Sequence, residues 1–508
     1  MTFKTTLLAG TVLGAAALVA GAASAQTAQR PATTPAPTVT QAQIEALNSQ
    51  IQALQGQLQS LKDQVGKDVA AVNKRVSDAP TVTVAGGRPR FVSADKAFDV
   101  ALRARLHLDY GYWFPDNVTA GALDLPGNQI DLPDGFNTRR AYIGVAGKVF
   151  NDFNFELTAD FSNDRGAGGR LQAANVSYTA IPGWTIDVGA MQPPFTLEDS
   201  TSSNDIPFIE RSAPVNLATS LVASESRLAL GFKNSGDRHF VSAYLTGDTL
   251  AASGGDDQHA VIGRAAFLAA TSPDFDLGIG VTGGHLFEPR QTAGGAQVAA
   301  NNVRNLSLSE RPETRIGGGA YRMVSTGNID SDSFSVYGGD VAFTFKNFWV
   351  AGEYYQYEFE RRVALGAFDD PSFDGYYVAA GWFITGERRP YNIKGGNFQG
   401  PKVQWPFRTS GGYGPGAWEL AARYSVIDLV DLDGGVGVTT PLANVTPTSG
   451  FRTGGTPGEQ EVITLGLNWY LNSAVRLMFN YQMMEADRPG TQPTDETDAI
   501  TARLQFQF

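Results

Sequence analysis

Residues 98–112 read FDVALRARLHLDYGY. Successive side chains of an extended chain point to opposite sides. Phe98, Val100, Leu102, Ala104, Leu106, Leu108, Tyr110 and Tyr112 therefore share one face, and Asp99, Arg103, Arg105, His107 and Asp109 share the other. One face suits hydrocarbon and the other suits water. The wall of a membrane barrel needs this pattern, with lipid outside and solvent inside. A soluble sandwich with one wet face would show it too, so the decision passes to the rest of the chain.

The same rhythm continues to the C-terminus. Segments 98–112, 139–149, 153–162, 171–180, 185–192, 227–234, 238–246, 258–269, 274–285, 336–346, 348–359, 374–385, 417–428, 461–471, 474–486 and 498–508 carry it. Sixteen strands of near-spanning length, an even number, are what a bacterial outer-membrane barrel requires. The connections discriminate further. Those at 150–152, 181–184, 235–237, 270–273, 347 and 472–473 are short and follow even-numbered segments. Those at 113–138, 193–226, 286–335 and 429–460 are long and follow odd-numbered ones. Short periplasmic turns alternating with long outer loops belong to a barrel and have no reason to appear in a sandwich. The connection 386–416 breaks the rule, being long on the short-turn side. Aromatic residues gather at segment ends, among them Trp184, Trp349, Trp382, Trp418 and Trp469, as an interfacial girdle would require. Ile500 to Phe508 alternates to the last residue and is placed to pair with the first strand and close the edge.

The remaining 97 residues divide into four parts. Residues 1–25 have the form of an export signal: Lys4, an apolar run from Leu7 to Ala20, and the small-residue site Ala23-Ser24-Ala25. Residues 26–40 are an Ala, Thr, Pro and Gln spacer. In 41–78 the apolar positions Ile44, Leu47, Ile51, Leu54, Leu58, Leu61 and Val65 alternate three and four apart, a coiled-coil seam continued after a stutter by Val69, Val72 and Val76. Residues 79–97, with Pro80, Gly86, Gly87 and Pro89, read as a linker into the barrel at 98–508.

Composition narrows the functional classes. The 508 residues include no cysteine, four histidines and a formal net charge of −12. The acidic balance disfavours a nucleic-acid partner. Without cysteine there are no disulfides or thiolate metal sites, and the histidines have no ligand spacing, so no cofactor is expected. No serine has a His and Asp partner pattern, and no enzyme is expected.

One connection stands apart. Gln192 to Arg227, QPPFTLEDSTSSNDIPFIERSAPVNLATSLVASESR, has no helical or strand period. An insert of this length in a compact protein is either functional or disordered. Residues 193–226 are expected to fold into the bore and narrow it. Around them the inward face of the wall offers Arg103, Arg105, Arg140, Lys148, Arg264, Lys346, Arg423, Arg476 and Arg503 against Asp99, Asp109, Glu156, Asp160, Asp187, Asp340 and Glu419. Rings of basic residues favour anions. A mixed lumen with a slight basic excess predicts a mild anion preference.

Several stretches together resemble the phosphate-selective porin O and P family. They are Thr138 to Tyr142, DFNFELTADF at 152–161, the run VGAMQPPFTLE through Arg211, FITGERR at 383–389, WELAARYSVID at 418–428 and NWYLNSAVRLMFNY at 468–481. The resemblance implies a homotrimer of 16-stranded barrels with the third loop folded inward. It also implies that Arg140, Tyr142, Ser202, Ser203 and Arg211 line or approach the constriction. With the inward Arg103 and Arg105, and Arg227 at the end of the insert, these are the candidate site residues. Phosphate-selective members place a lysine shortly before the serine pair, where this chain has Asp199 with Glu198 beside it. A carboxylate there repels the ion that a lysine would attract.

The expectation is an all-β, 16-stranded antiparallel transmembrane barrel behind a short coiled-coil helix. It would sit among outer-membrane lipid and pass small hydrophilic solutes, with anions preferred and phosphate among them. Two other readings stay open. One is a structural tether acting through the coiled coil, and the other is a soluble glycan-binding β protein.

Overall fold

The computed structural model describes residues 40–85, 88–114, 117–119, 129–162, 169–250, 258–290, 304–316, 321–362, 368–408, 414–437, 455–490 and 494–508. The export signal and nearly all of the spacer lie outside them. The chain divides into two units at Ser77.

In the first unit, α1 (Gln41–Ser77) is one unbroken helix with no buried residue. Its whole apolar seam, from Ile44 to Val76, is exposed. A lone helix gains most of its stability from a packed apolar face, and among the described residues of this unit nothing covers that face.

The second unit is a closed wall. Its strands are β1 (Phe98–Phe114), β2 (Gly135–Val149), β3 (Phe153–Asp160), β4 (Arg170–Tyr178), β5 (Trp184–Met191), β6 (Arg227–Ser235), β7 (His239–Thr249), β8 (His259–Ser272), β9 (Phe275–Glu288), β10 (Ile329–Phe345), β11 (Phe348–Arg361), β12 (Ser372–Phe383), β13 (Ala417–Asp428), β14 (Glu459–Tyr470), β15 (Val475–Asp487) and β16 (Asp495–Gln507). Each pairs antiparallel with its sequence neighbour, and β16 returns to β1 with Arg503 opposite Asp109. The ring has no free edge, so the backbone groups at membrane depth find partners within the sheet. Leu102, Leu108, Tyr110 and Tyr112 point outward, while His107 and Asp109 are buried inside.

Residues 79–97 are more than a linker. Thr81–Ala85 pairs with Arg88–Val92, and Arg90 to Val92 pair with Asp99 to Ala101 of β1. β16 ends at Gln507 opposite Arg105, and Phe508 beyond it exchanges backbone hydrogen bonds with Ala104, which leaves the part of β1 before Ala104 without β16 on that side. The hairpin covers this edge, and an uncovered edge is a template for unwanted pairing.

Three segments fill much of the bore. The connection after β5 contains α2 (Leu197–Ser200) and α3 (Ala213–Ser220), although no helix was expected there. Two turns are too short to display a period in sequence. Burial stabilises α3 instead, with Pro214 in its first turn and Val215, Leu217 and Ala218 inside. Tyr357 of β11 donates its hydroxyl to the Pro214 carbonyl at 2.7 Å. Glu353 of β11 accepts from the backbone N–H groups of Leu197 and Glu198 at 2.9 and 2.8 Å, satisfying two orphan donors of α2. From the loop between β9 and β10, Glu313 accepts from the Ala213 N–H at 2.8 Å and pins α3 from the other side.

The third segment is 386–416, the exception to the loop rule. Its short hairpin, Tyr391–Asn392 with Asn397–Phe398, lies inside the wall. Arg264 of β8 donates to the Gly396 carbonyl at 3.1 Å, and Thr344 of β10 to the Arg389 carbonyl at 2.8 Å. The Tyr391 ring stands against Gly278, where an added Cβ would lie 2.5 Å from it. This connection is long because it occupies part of the lumen.

Candidate functional site: the constriction of the bore

A cavity of about 1320 Å³ opens at the short-turn end of the barrel and reaches the connection after β5. Its walls come mainly from β1 to β7, with Lys394 and Asn397 of the inward hairpin on one side. The bore is therefore confined to part of the section that the ring encloses. Among the described residues, eight basic and five acidic side chains line it, a basic excess as expected from sequence. Some of these charges are paired along the wall, Arg103 with Glu156 at 2.7 Å and Lys233 with Asp187 at 2.9 Å.

Where the cavity meets the connection, β1 and β2 supply the basic wall. Arg105 donates to the Ser203 hydroxyl at 2.7 Å and stacks over the Tyr142 ring, 5.3 Å from its centroid. Its register partner on β2 is Tyr142, and the next inward pair along is His107 with Arg140. His107 contacts Asn204 at 3.1 Å. Arg140 is almost completely buried, lies 3.5 Å from Glu225, and leaves Nε and Nη1 without a hydrogen-bond partner.

The opposing side is acidic. Asp199 and Glu225 line the cavity together with Arg211. Arg211 donates to the carbonyls of Glu198, Asp199 and Thr201 at 3.1 to 3.3 Å, which fixes the bend of the loop, and it faces Asp199 at 3.8 Å and Glu225 at 3.9 Å. Burial, with Glu225 nearby, pushes the Asp199 carboxyl up to about 6 against the pull of Arg211. Burial would also raise Glu210. Arg139, Arg315 and Arg503 outweigh it and hold that carboxyl well below the usual range.

The candidate residues thus separate. Arg103, Arg105, Tyr142, Ser202, Ser203 and Arg211 all border the cavity, and Arg140 sits directly behind Glu225. Arg227 does not border it. Its guanidinium donates to the Gly247 carbonyl, the Ser220 carbonyl and the Ser224 hydroxyl, tying the end of the connection to the wall. Four inward arginines are anchors rather than lining. Arg264 binds Asp340 at 2.6 Å, Arg503 binds Asp109 at 2.6 Å and Glu210 at 3.0 Å, Arg423 holds Glu198 and Glu313, and Arg476 holds the Ile206 carbonyl. Lys346 lies exposed in the turn after β10 and does not face the bore. Glu225, Gln192 and Lys394 border the cavity without having been singled out, because connections carry no alternation to assign their direction.

The family model for phosphate-selective porin O and P matches residues 115–508. The chain belongs to that family. Porin O of Pseudomonas aeruginosa is 25% identical over 428 residues, covering 82% of this chain and 90% of that one. An uncharacterized protein of Caulobacter vibrioides is 25% identical over 450 residues, covering 85% and 78%. Among solved structures, an anion-selective porin from Comamonas acidovorans aligns with a TM-score of 0.47 at 12% identity, over 80% of this chain and 99% of that one. The outer-membrane protein OmpT of Vibrio cholerae in its trimer form aligns at 0.44 and 10% identity, over 81% and 100%. The protein is an outer-membrane porin.

Proposed function

We propose that this porin lets small hydrophilic solutes diffuse passively across the outer membrane, with a mild preference for anions. The observation that carries the reading is the join at the end of the cavity. There, the connection after β5 lies across the bore and meets Arg105 and Arg140 on the opposite wall. The excess of basic over acidic lining favours anions. Asp199 at the narrow end moderates that preference and argues against exclusive phosphate passage. Reconstitution into planar bilayers tests the reading. Stepwise conductance and an anion-selective reversal potential in a salt gradient are expected; absence of steps would refute the channel, and a cation-selective potential would refute the preference.

The porin assembles as a homotrimer in this reading, an extension of family membership. The exposed seam of α1 supports a further element, a coiled coil with α1 of other copies on the periplasmic side. A role as tether through that helix is the second reading. Deleting residues 26–80 separates the two, since a channel continues to conduct without them.

A further inference from the structure

The lipid-facing side of the wall from β11 to β16 is uneven. On β12 and β13 alternation turns Ala380 and Ala422 outward, and the two are register partners. One step nearer the short turns, Phe348, Trp382, Leu420, Leu467 and Phe479 follow one another across the strands. Two small side chains beside this row of large ones leave a depression of about 910 Å³ in the outer surface. Among the described residues no charged side chain lines it.

The rim toward the short turns is aromatic. Phe348 and Trp382 stack with centroids 5.8 Å apart, and Trp418 and Trp469 stack at 4.9 Å. Both indole N–H groups of the second pair donate to the Pro415 carbonyl, at 3.1 and 2.8 Å. Phe407 packs edge-on against Trp469 at 5.4 Å. Aromatic rings at the ends of a membrane wall sit at the headgroup level of the bilayer.

Charge on this face is polarised along the strands. Toward the long loops it carries Asp374, Asp428, Glu459, Glu461 and Glu485. Asp374 stands opposite Asp428, Asp428 opposite Glu459 and Glu461 opposite Glu485. Like charges so placed repel one another, and they repel an anion brought near them. At the short-turn end, residues 346–348, 384–416 and 471–474 contain one carboxylate, Glu387, and it is 1% exposed. Two exposed cations stand there instead. Lys346 lies in the turn that leads into Phe348, and Arg408 follows Phe407, whose N–H donates to the Leu471 carbonyl beyond β14 at 2.7 Å.

We infer that this depression seats a phospholipid with an anionic headgroup, taken from the leaflet at the short-turn end. Its acyl chains lie over Ala380 and Ala422, and its headgroup lies at the aromatic rim, which Lys346 and Arg408 make positive. A basic residue near the membrane surface attracts anionic lipid. The acids at the far end fix the direction, because a lipid seated the other way up would bring its phosphate to them. This deepens the proposed function and rests on it, because it takes the short turns to face the periplasm from within an outer membrane.

Native mass spectrometry of the full-length porin in detergent tests it, with dioleoylphosphatidylglycerol and dioleoylphosphatidylcholine as probes at equal concentration. The two share their acyl chains and differ in net charge. The porin is expected to hold the first about fivefold more than the second, the value of one basic residue near an anionic lipid. Lys346→Gln/Arg408→Gln is expected to bring that ratio close to one. Ala380→Phe/Ala422→Phe fills the depression and is expected to lower the binding of both lipids about tenfold, as losing two buried methylene groups would. Equal binding of the two lipids by the native chain, a ratio unchanged in the first variant, or binding unchanged in the second overturns the inference. So does a second variant that falls from trimer to monomer with its lipid retained, since the face would then belong to another copy of the chain. Conductance steps in planar bilayers, recorded on each preparation, confirm folding and test the porin reading separately. A native chain without steps refutes that reading and leaves the lipid ratios to decide the inference on their own.

Discussion

Arg139 grips Glu210 through two hydrogen bonds, of 2.7 and 3.1 Å, although strict alternation on β2 would turn it outward beside Arg140. A register shift between His107 and Leu108 of β1 explains this. His107 pairs with Arg140 and Leu108 with Thr138, so Arg139 is the extra residue of a bulge. A bulge re-aims side chains locally. Here it brings two consecutive arginines into the lumen, one tightly paired to the connection after β5 and one loosely held at the cavity's end.

The two residues should therefore fail differently. Arg140→Gln is expected to lower the anion-to-cation permeability ratio about two- to fivefold, the value of one partly screened charge, with thermal stability nearly unchanged. Arg139→Gln leaves Glu210 short of a partner and is expected to lower the unfolding temperature. Reversal potentials and heat-induced gel-mobility shifts on both variants check this.

Arg503 and Arg423 anchor the filling segments from the wall. Arg503→Ala takes from Asp109 its bidentate partner and leaves Glu210 to Arg139 and Arg315, and Arg423→Ala takes the cation from the buried Glu198 and Glu313. Removing one partner of a buried pair costs about 3–5 kcal/mol. Each variant is expected to lose stability in urea titrations and to show larger, noisier single-channel currents as the connection loosens.

How far the sequence reveals this molecule depends on periodicity. Residues 98–112 show which side chains face lipid because β1 itself carries no extra residue, the bulge opposite His107 and Leu108 lying on β2. The same two-residue period places Arg264, Arg423, Arg476 and Arg503 inward without telling lining from anchor, because both uses need a basic side chain on the same face. The bulge at Arg139 is invisible in sequence, since nothing in Thr138 to Tyr142 signals an extra residue. Lys346 follows the period on paper but belongs to a turn with positive φ. The inward hairpin at 391–398 shows itself only as a length anomaly, because its direction is set by Tyr391 against Gly278 and by Arg264, contacts made far along the chain.

That hairpin is expected to set conductance. Replacing Tyr391–Phe398 by a short glycine-serine turn removes Lys394 and Asn397 from the cavity wall and frees the Ser200 carbonyl, which Asn397 now holds at 2.6 Å. Single-channel conductance is expected to rise about twofold as the open section widens. An unchanged value would mean that the hairpin lies off the conducting path.

Acidification is expected to sharpen anion selectivity. Burial, with Glu225 and Glu198 nearby, pushes the Asp199 carboxyl up to about 6 against the pull of Arg211 and Gln192. Its folded-state pKa lies above the ordinary carboxylate value. The folded state therefore binds more protons between those values, and the cost of the ionised carboxylate, fully present above pH 6, is relieved as pH falls. From pH 7.5 to 5, the anion-to-cation ratio is expected to rise in the native chain and to change less in Asp199→Asn. Identical pH profiles for the two would contradict this assignment.

The central claim is that the connection after β5 borders the conducting path inside a closed barrel. The chain has no cysteine, so one introduced at Ser203, beside Arg105, reports on that path alone. Under recording in a planar bilayer, a charged water-soluble thiosulfonate reagent is predicted to lower the current of Ser203→Cys stepwise and to leave the native porin untouched. Modification without any change in current would place Ser203 outside the path and contradict the account.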